Sequence, residues 1–259
     1  MTEELFRQDA TQGQCVARVL AVDAAGVVLD RTVFYPLGGG QAGDAGWLEL
    51  AGGVRMAIAD TRKEKDEAGA PTGRICHVPA PDQTQQLSKL VIGEEVVAHI
   101  DMPRRRRLMR FHTASHLLCH LVPMPVNGCS ITPEHARIDF HMTEPLDKDA
   151  LTAGLARLVA AGLPVVVGSV TDAELDAHPE LVKSMSVQPP RGSGTVRTIR
   201  IGAAPADAGR IGAPGGELID LQPCGGTHVA NTAEIGTVLV TKIEKKSAMT
   251  RRVVLGLAD

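Results

Sequence analysis

Aromatic residues are almost absent from this chain of 259 residues, in which Phe, Tyr and Trp together make up 2% of the sequence. The hydrophobic fraction is nevertheless 44%, so we expect a core built from Val, Leu, Ile and Ala. So few rings also argue against any contact with RNA that depends mainly on stacking against bases. The length suits one large domain or two small ones.

Long apolar runs are missing as well. No stretch reaches the roughly 18 consecutive apolar residues that a membrane-spanning helix needs. The first residues, Met1-Thr2-Glu3-Glu4, have neither the basic start nor the apolar stretch of a signal peptide. We therefore expect a soluble, cytoplasmic protein with no membrane partner.

Cysteine usage and net charge exclude two further classes of protein. The five cysteines form an odd, scattered set, which in a cytosolic chain is typical of free thiols or metal ligands rather than of a disulfide framework. The net charge of −3 gives no overall attraction to nucleic acid, so any RNA contact must come from a local basic patch.

Two basic runs are candidates for such a patch, although charge runs are equally often solvated faces. Either run would add salt dependence to binding if its members contacted phosphates. The first run contains Arg104, Arg105, Arg106, Arg107 and Arg110. The second contains Lys242, Lys245, Lys246, Arg251 and Arg252.

The first hundred residues predict a small β-barrel, which we take as one domain, 1–100. Short Val-rich runs at 15–22 and 26–34 and two further predicted strands at 54–60 and 73–78 are separated by turn residues. Between them, residues 36–46 are rich in glycine, which indicates tight backbone turns. Gln41 and the three glycines before it could line a pocket from the barrel side, but the plainer interpretation, which we favour, is a structural turn that joins the barrel to the next domain.

Residues 101–259 predict a second domain of the α+β class. The apolar spacing predicts a helix over 104–121, started by Pro103 and ended by Pro123. A second helix is expected over 145–161, and strands over 163–170, 195–201, 218–221, 236–244 and 251–257. Residues 187–194 and 203–216 are predicted loops.

A possible metal site combines two motifs from distant parts of the chain. His112 and His116 are four residues apart in the predicted helix and therefore project from one face. Cys224 and His228, separated by two glycines and a threonine, could complete a tetrahedral Cys-His₃ site. Thr113 stands where a zinc protease has its glutamate base, which argues against a peptidase.

Spacing alone leaves this metal site and ordinary, partly buried side chains about equally open. On the same helix, Cys119 and His120 are alternative ligands. Cys129 is expected to be a small buried residue.

The chain resembles the AlaX family, the stand-alone relatives of the editing domain of alanyl-tRNA synthetase. The segments that carry the resemblance are HTASHLL at 112–118, ARIDF at 136–140, CGGTHVANTAEIG at 224–236 and FYPLGGGQAGDAG at 34–46, with VRTIRIG at 196–202 and RRVVLGLA at 251–258. The resemblance runs nearly end to end. It implies a small N-terminal β-barrel followed by an α+β editing domain of the alanyl/threonyl-tRNA synthetase type.

The resemblance also implies an activity and a cofactor. The activity is hydrolysis of tRNA(Ala) that carries the wrong amino acid, chiefly serine, with glycine as a further candidate. His112, His116, Cys224 and His228 match the family's zinc positions one for one, which favours them over Cys119 and His120 and implies one zinc ion per chain. The thiolate and imidazole donors also favour zinc over hard cations.

The substrate pocket is less well marked than the metal site. Many family members carry a glutamine in the predicted loop 125–132, and this chain has none. Asn127, Ser130 and Thr132 are the polar substitutes that could position substrate or water. Two rival functions stay open: a non-catalytic tRNA-binding module with structural zinc, and a zinc hydrolase of a small ester or amide. The oligomeric state stays open too.

Overall fold

The computed structural model describes residues 1–185, 188–189, 194–202 and 218–258, and the chain divides into two compact units. The first unit is Met1–Gly38 with Ala42–Arg107, and the second is Gly39–Gln41 with Leu108–Asp259. The division therefore falls after Arg107, inside a helix, whereas we placed the boundary after residue 100. The predicted loop 203–216 and most of the predicted loop 187–194 lie outside the described residues.

The first unit is built on a closed β-barrel, which confirms the predicted fold of this half. Its strands are β1 (Glu3–Glu4), β2 (Gln14–Asp23), β3 (Gly26–Leu29), β4 (Arg31–Thr32), β5 (Gly46–Glu49), β6 (Arg55–Lys65), β7 (Pro71–Pro79) and β8 (Glu95–Ile100). Six of them close in the order β2-β3-β7-β6-β5-β8, while β1 and β4 form a separate parallel pair. A short helix, α1 (Thr84–Leu87), precedes β8.

The barrel interior is filled by aliphatic side chains that alternate along the strands. In β2, Cys15, Ala17 and Val19 are buried while their neighbours in the strand are exposed. This is the period-two pattern of a strand with one face on a core. The interior is dominated by Val, Leu, Ile and Ala, as the scarcity of aromatic residues requires.

Arg105 is fully buried in this unit, so our prediction that it binds tRNA is wrong. Its guanidinium forms an ion pair with Asp44, with Nε donating to the two carboxylate oxygens at 3.0 and 2.9 Å. The remaining N–H groups donate to the backbone oxygens of Ala10 and Val33 at 2.8 and 2.7 Å. Because the side chain is 0% exposed and is paired with Asp44 inside the unit, it has no access to a phosphate. Within the same run, Arg106 is exposed.

His77 is a buried, uncharged histidine in the barrel. Its Nδ1 lies 3.0 Å from the carbonyl oxygen of Val27, and its Nε2 lies 2.7 Å from Oγ1 of Thr32. A carbonyl only accepts, so Nδ1 carries the proton and Nε2 accepts from the Thr32 hydroxyl. Burial lowers the pKa of His77 to about 4.

This buried histidine is expected to make the stability of the first unit depend on pH. In the unfolded chain His77 takes up a proton near pH 6.5, but in the folded chain only near pH 4, so acid favours unfolding. The unfolding free energy should therefore fall as the pH drops below about 6.5, by about 2.5 kcal/mol between pH 7.5 and pH 4.5. Urea unfolding followed by the fluorescence of Trp47, the single tryptophan, measures this.

The matched variant is His77→Gln, which keeps a polar side chain but cannot titrate. It should remove about 2.5 kcal/mol of the pH dependence while all other titrating groups stay the same. Parallel pH profiles for the wild-type protein and the variant would show that His77 does not control acid stability.

Within the described residues, the second unit contains two sheets, most of a long helix and two shorter helices, in agreement with the predicted α+β class. Its strands are β9 (Val126–Ile131), β10 (Ala136–His141), β11 (Val165–Thr171), β12 (Thr195–Gly202), β13 (Leu218–Pro223), β14 (Val238–Ser247) and β15 (Thr250–Leu257). One sheet has the order β14-β15-β10-β9 and the other β11-β12-β13, both antiparallel. The further helices are α3 (Lys148–Ala160) and α4 (Asp172–Ala177), and α3 packs on β14.

The long helix α2 (Met102–Leu121) carries the HxxxH motif. The side chain of Asp101 accepts from the backbone N–H of Arg104 at 3.0 Å, which satisfies one of the free donors at the start of the helix. Every residue from Phe111 to Cys119 is buried, so both histidines of the motif are held in a closely packed environment. Among the described residues, no helix combines the length and apolar character needed to span a lipid bilayer.

Residues 125–132, which we predicted as a loop, contain strand β9 at the edge of the larger sheet. The glycine-rich segment lies beside this edge, with the N–H of Ile131 donating to the carbonyl oxygen of Gly40 at 2.7 Å and Gln41 bridging to Ile131 in parallel. Gly40 has a φ of +81°, and a Cβ atom there would lie 2.8 Å from the carbonyl oxygen of Cys129. Only glycine allows this approach, and the approach carries Gln41 into the second unit.

Candidate metal centre

The four predicted ligands come together at one point of the second unit. Helix α2 supplies His112 and His116, and the segment after β13 supplies Cys224 and His228. Their candidate ligand atoms all lie within 4.8 Å of one another. Sγ of Cys224 is 3.5 Å from Nε2 of His112 and 3.3 Å from Nε2 of His228.

The two distances from Sγ of Cys224 and the set of donor atoms fit a tetrahedral zinc ion. Zinc–sulfur and zinc–nitrogen bonds of about 2.3 and 2.0 Å, at a tetrahedral angle, separate the two donor atoms by about 3.5 Å. Thiolate and imidazole are both typical zinc ligands. The four side chains would complete a four-coordinate site.

The Cys224–His228 segment reaches the helix because Gly226 has no side chain. A Cβ atom at this position would lie 2.1 Å from Cε1 and 2.3 Å from Nδ1 of His112. Gly226 is buried, whereas the neighbouring Gly225 is exposed. The first glycine of CGGTH is therefore on the surface and the second packs directly on a ligand.

Each of the three histidines has a hydrogen-bond partner on the ring nitrogen that faces away from the cluster. Nδ1 of His112 lies 2.7 Å from Oε1 of Gln41, and Nδ1 of His116 lies 2.7 Å from Oδ2 of Asp220. Amide and carboxylate oxygens only accept, so both rings carry their proton on Nδ1 and leave Nε2 for a metal.

His228, the third histidine, is held by Thr113, the residue that stands where a zinc protease has its glutamate. Nδ1 of His228 lies 3.1 Å from Oγ1 of Thr113, which also accepts from the N–H of Val229 at 3.3 Å. Thr113 therefore orients a ligand from the opposite motif.

Gln41 belongs to this centre, so our interpretation of it as part of a plain connecting turn is wrong. The side chain is fully buried; its Oε1 also accepts from the N–H of Thr227 at 3.1 Å, and its Nε2 donates to Oγ1 of Thr227 at 2.9 Å. The amide thus links His112 on the helix to the segment that carries Cys224 and His228.

The electrostatics of the centre favour a thiolate. Burial alone would raise the pKa of the Cys224 thiol, but His112 and His228 beside it lower that pKa well below its ordinary value. Burial together with the nearby His112 lowers the pKa of His228 to about 3, which keeps this ring neutral. A thiolate and neutral imidazoles are the forms that bind metal ions.

His116 and Asp220 shift each other's protonation in the metal-free protein. Burial lowers the pKa of His116, but the hydrogen bonds to Asp220 and Cys224 outweigh burial and raise it to about 9. Burial raises the pKa of Asp220, but His116 and Lys183 outweigh it and lower that pKa. The carboxylate is therefore ionised beside the ring.

The other side chains proposed as ligands lie outside the cluster. Nδ1 of His120 contacts the carbonyl oxygen of Ile219 at 2.8 Å, and Cys119 is buried. Burial, with a smaller contribution from Cys224, raises the pKa of the Cys129 thiol to about 12. Cys129 is thus a protonated thiol in the neighbourhood of the centre.

The structure does not bring Asn127, Ser130 and Thr132 into contact with the four ligands. The amide of Asn127 donates to Oγ1 of Thr250 at 3.1 Å. The hydroxyl of Thr132 accepts from the N–H groups of the two residues at 134 and 135 at 3.3 and 3.2 Å, and so stabilises a turn. Ser130 pairs with Arg137 across the strands, and its side chain has no hydrogen-bond partner within the part of the chain that the structure describes.

Two family models match the chain, one in each half. Residues 5–104 match the model described as tRNA synthetases class II (A). Residues 196–254 match the Threonyl and Alanyl tRNA synthetase second additional domain. The second match includes β13 and Cys224 and His228 of the cluster.

Comparison with curated proteins gives similarity over nearly the whole chain. The alanyl-tRNA editing protein AlaX-M of Saccharolobus solfataricus is 30% identical, over 98% of this chain and 98% of its own length. The alanine–tRNA ligases of Pyrobaculum calidifontis and Bordetella pertussis are 33% and 32% identical over 94% and 93% of this chain. The chain spans only about a quarter (25%) of the length of each of these two ligases.

Proposed function

Because the chain belongs to the AlaX family of alanyl-tRNA editing proteins, we propose that it hydrolyses mischarged tRNA(Ala), chiefly Ser-tRNA(Ala), with Gly-tRNA(Ala) as a second substrate. The observation that carries the proposal is the preformed cluster of His112, His116, Cys224 and His228. The products are free tRNA(Ala) and the released amino acid. Ester hydrolysis consumes only water, so we propose an ATP-independent reaction in the cytoplasm.

The substrate bond is an ester between an amino acid and the terminal ribose of the tRNA. A zinc ion held by the four side chains would supply a Lewis acid next to this ester or next to the amino group of the substrate. Because the four protein ligands already make up a tetrahedral set, we propose that substrate orientation is the role of the metal and that protein groups position the attacking water. Deacylation that survives complete removal of the metal would contradict this division of roles.

Two residues, the partly buried Ser130 and the exposed Arg106, are proposed as substrate contacts. Ser130 is the one of the three predicted pocket residues whose side chain has no hydrogen-bond partner within the described residues. Arg106 is the exposed member of its run. If it contacts a phosphate, the Arg106→Ala variant should bind tRNA with a weaker dependence on salt concentration than the wild-type protein. In the second basic run, Arg252 forms an ion pair with Asp139. The exposed lysines of that run, Lys242, Lys245 and Lys246, are weaker candidates for phosphate contacts.

The decisive experiment is deacylation of Ser-, Gly- and Ala-tRNA(Ala) by the purified protein. We expect Ser-tRNA(Ala), and more slowly Gly-tRNA(Ala), to lose the amino acid while Ala-tRNA(Ala) is spared. The double variant His116→Ala/Cys224→Ala should be slower by more than about 100-fold, because it removes two ligands rather than one supporting group.

The matched control is His120→Ala, one turn further along the same helix and outside the cluster. It should keep most of the wild-type rate. If none of the three substrates is hydrolysed while the protein holds zinc and binds tRNA, the catalytic proposal falls and the chain is a tRNA-binding module with structural zinc. Hydrolysis of small esters without competition by uncharged tRNA would instead support the small-ester hydrolase.

A further inference from the structure

We infer that Asp220 is a positioning residue of the metal centre, which holds the His116 ring in the orientation and tautomer that present Nε2 to the metal. The inference rests on the metal site of the proposed function, not on the identity of the substrate. From the sequence, Asp220 was predicted only as part of a strand, and it lies outside the motifs that contain the four candidate ligands.

The geometry around Asp220 directs one carboxylate oxygen to the ligand. The residue is 2% exposed, and its Oδ2 accepts from Nδ1 of His116 at 2.7 Å and from Nε2 of Gln222 at 2.9 Å. The other oxygen, Oδ1, forms an ion pair with Nζ of Lys183. The carboxylate therefore cannot turn away from His116 without losing three partners in a buried site.

Among the Nδ1 contacts that the described residues provide to the three histidines, the contact of His116 is the one with a carboxylate. His112 donates to the neutral amide of Gln41, and His228 contacts the neutral hydroxyl of Thr113. A ring that donates to a carboxylate is a more basic ligand and binds a metal ion more strongly. Asp220 should therefore contribute more to metal affinity than either neutral partner.

Lys183 accounts for the presence of a buried carboxylate close to a thiolate. Asp220 and Cys224 place two negative groups near one another, and an isolated buried charge is costly. The Lys183 ammonium offsets the negative charge of Asp220 through Oδ1. The other carboxylate oxygen, Oδ2, is left to contact His116. The alternative role for Asp220 is purely structural: an ion pair that ties β13 to the segment around Lys183.

Zinc affinity distinguishes the two roles, and the variant is Asp220→Asn in the full-length protein. We expect a zinc dissociation constant about 10- to 100-fold higher than that of the wild-type protein, measured by competition with a chromophoric chelator at constant pH. The visible absorption of the cobalt-substituted protein should change as well, because the bands report the ligands around the metal.

The matched control is Asp139→Asn, since Asp139 forms an ion pair with Arg252 at 2.7 and 2.8 Å in the same unit and contacts no ligand histidine. It should leave zinc affinity unchanged. Lys183→Gln separates the roles further, because it breaks the ion pair but keeps the carboxylate on His116. We expect it to lower the unfolding free energy and to leave zinc affinity within about threefold of wild type, a difference well below the 10-fold minimum for Asp220→Asn.

A folded Asp220→Asn protein that binds zinc as tightly as the wild type would overturn the inference. Should that variant not fold, nitrogen-15 NMR of the histidine side chains in the zinc-loaded wild-type protein decides the matter: the inference requires a proton on Nδ1 of His116, and a proton on Nε2 refutes it. Neither measurement uses tRNA. The outcome is therefore independent of whether the wild-type protein deacylates tRNA(Ala).

Discussion

Replacement of Arg105 by methionine is expected to lower the unfolding free energy of the first unit by about 3–5 kcal/mol, the usual cost of removing one partner of a buried ion pair. The side chain of Arg105 is 0% exposed and that of Asp44 is 1% exposed. Methionine has a similar length, so the loss is not mainly one of volume. Asp44 would remain buried without its counterion, and the carbonyl oxygens of Ala10 and Val33 would lose their donors.

Urea unfolding monitored by Trp47 fluorescence reports on the unit that contains Arg105. The matched control is Arg106→Met, the exposed neighbour on the same helix, which should change stability by less than about 0.5 kcal/mol. Equal midpoints for the two variants would mean that the Arg105–Asp44 pair does not stabilise the barrel. If the Arg105→Met protein were fully stable but bound tRNA more weakly, Arg105 would contact a phosphate after all, contrary to its burial.

The second large effect is expected from Gly226→Ala, which should weaken zinc binding by more than about 100-fold, beyond the usual effect of a change next to a ligand. The new methyl group would occupy the position of the His112 ring, 2.1 Å from Cε1 and 3.0 Å from Oε1 of Gln41. His112 cannot move aside while Gln41 holds its Nδ1 at 2.7 Å. Either His112 or the Cys224–His228 segment must leave the cluster.

Zinc content after dialysis and chelator competition measure this effect, and circular dichroism checks that the variant is folded. Gly225→Ala is the matched control, because the adjacent glycine is exposed and does not have a positive φ. It should bind zinc as the wild type does. Wild-type zinc affinity in Gly226→Ala would show that the two segments are not packed against each other as closely as the structure has them.

Patterns along the chain were sufficient to predict the fold class and to select the four side chains that the structure brings together as a candidate metal site. The alternating apolar residues of β2 are a local periodicity that the fold keeps, because the strand buries one face. Helix α2 was predicted at nearly the right position, but every residue from Phe111 to Cys119 is buried, so this helix is covered on more than one face.

His112 and His116 could be paired from the sequence because residues four apart in a helix lie on one face. Cys224 and His228 lie outside any helix, so their pairing rested on the motif alone. The resemblance to the family's motifs then indicated that the pair His112/His116 and the pair Cys224/His228 belong to one site.

Strand β9 was missed because Val126–Ile131 has little local strand signal. Asn127, Gly128 and Ser130 favour turns, and this segment extends because it pairs with β10 and adjoins Gly40 and Gln41. In this segment, pairing with a neighbouring strand outweighs the low intrinsic strand propensity of the residues.

The sequence by itself determined which residue types can bind the metal and where the helix and the barrel strands run, since these depend on spacing along the chain. Only the tertiary structure decided what each polar side chain does. Arg105 and Arg106 are neighbours in one basic run, yet one is buried against Asp44 and the other is exposed. Gln41 and Asp220 lie 71 and 104 residues from the histidines that they hold. Such partners carry no local signal, because burial and long-range hydrogen bonds are set by how distant segments pack.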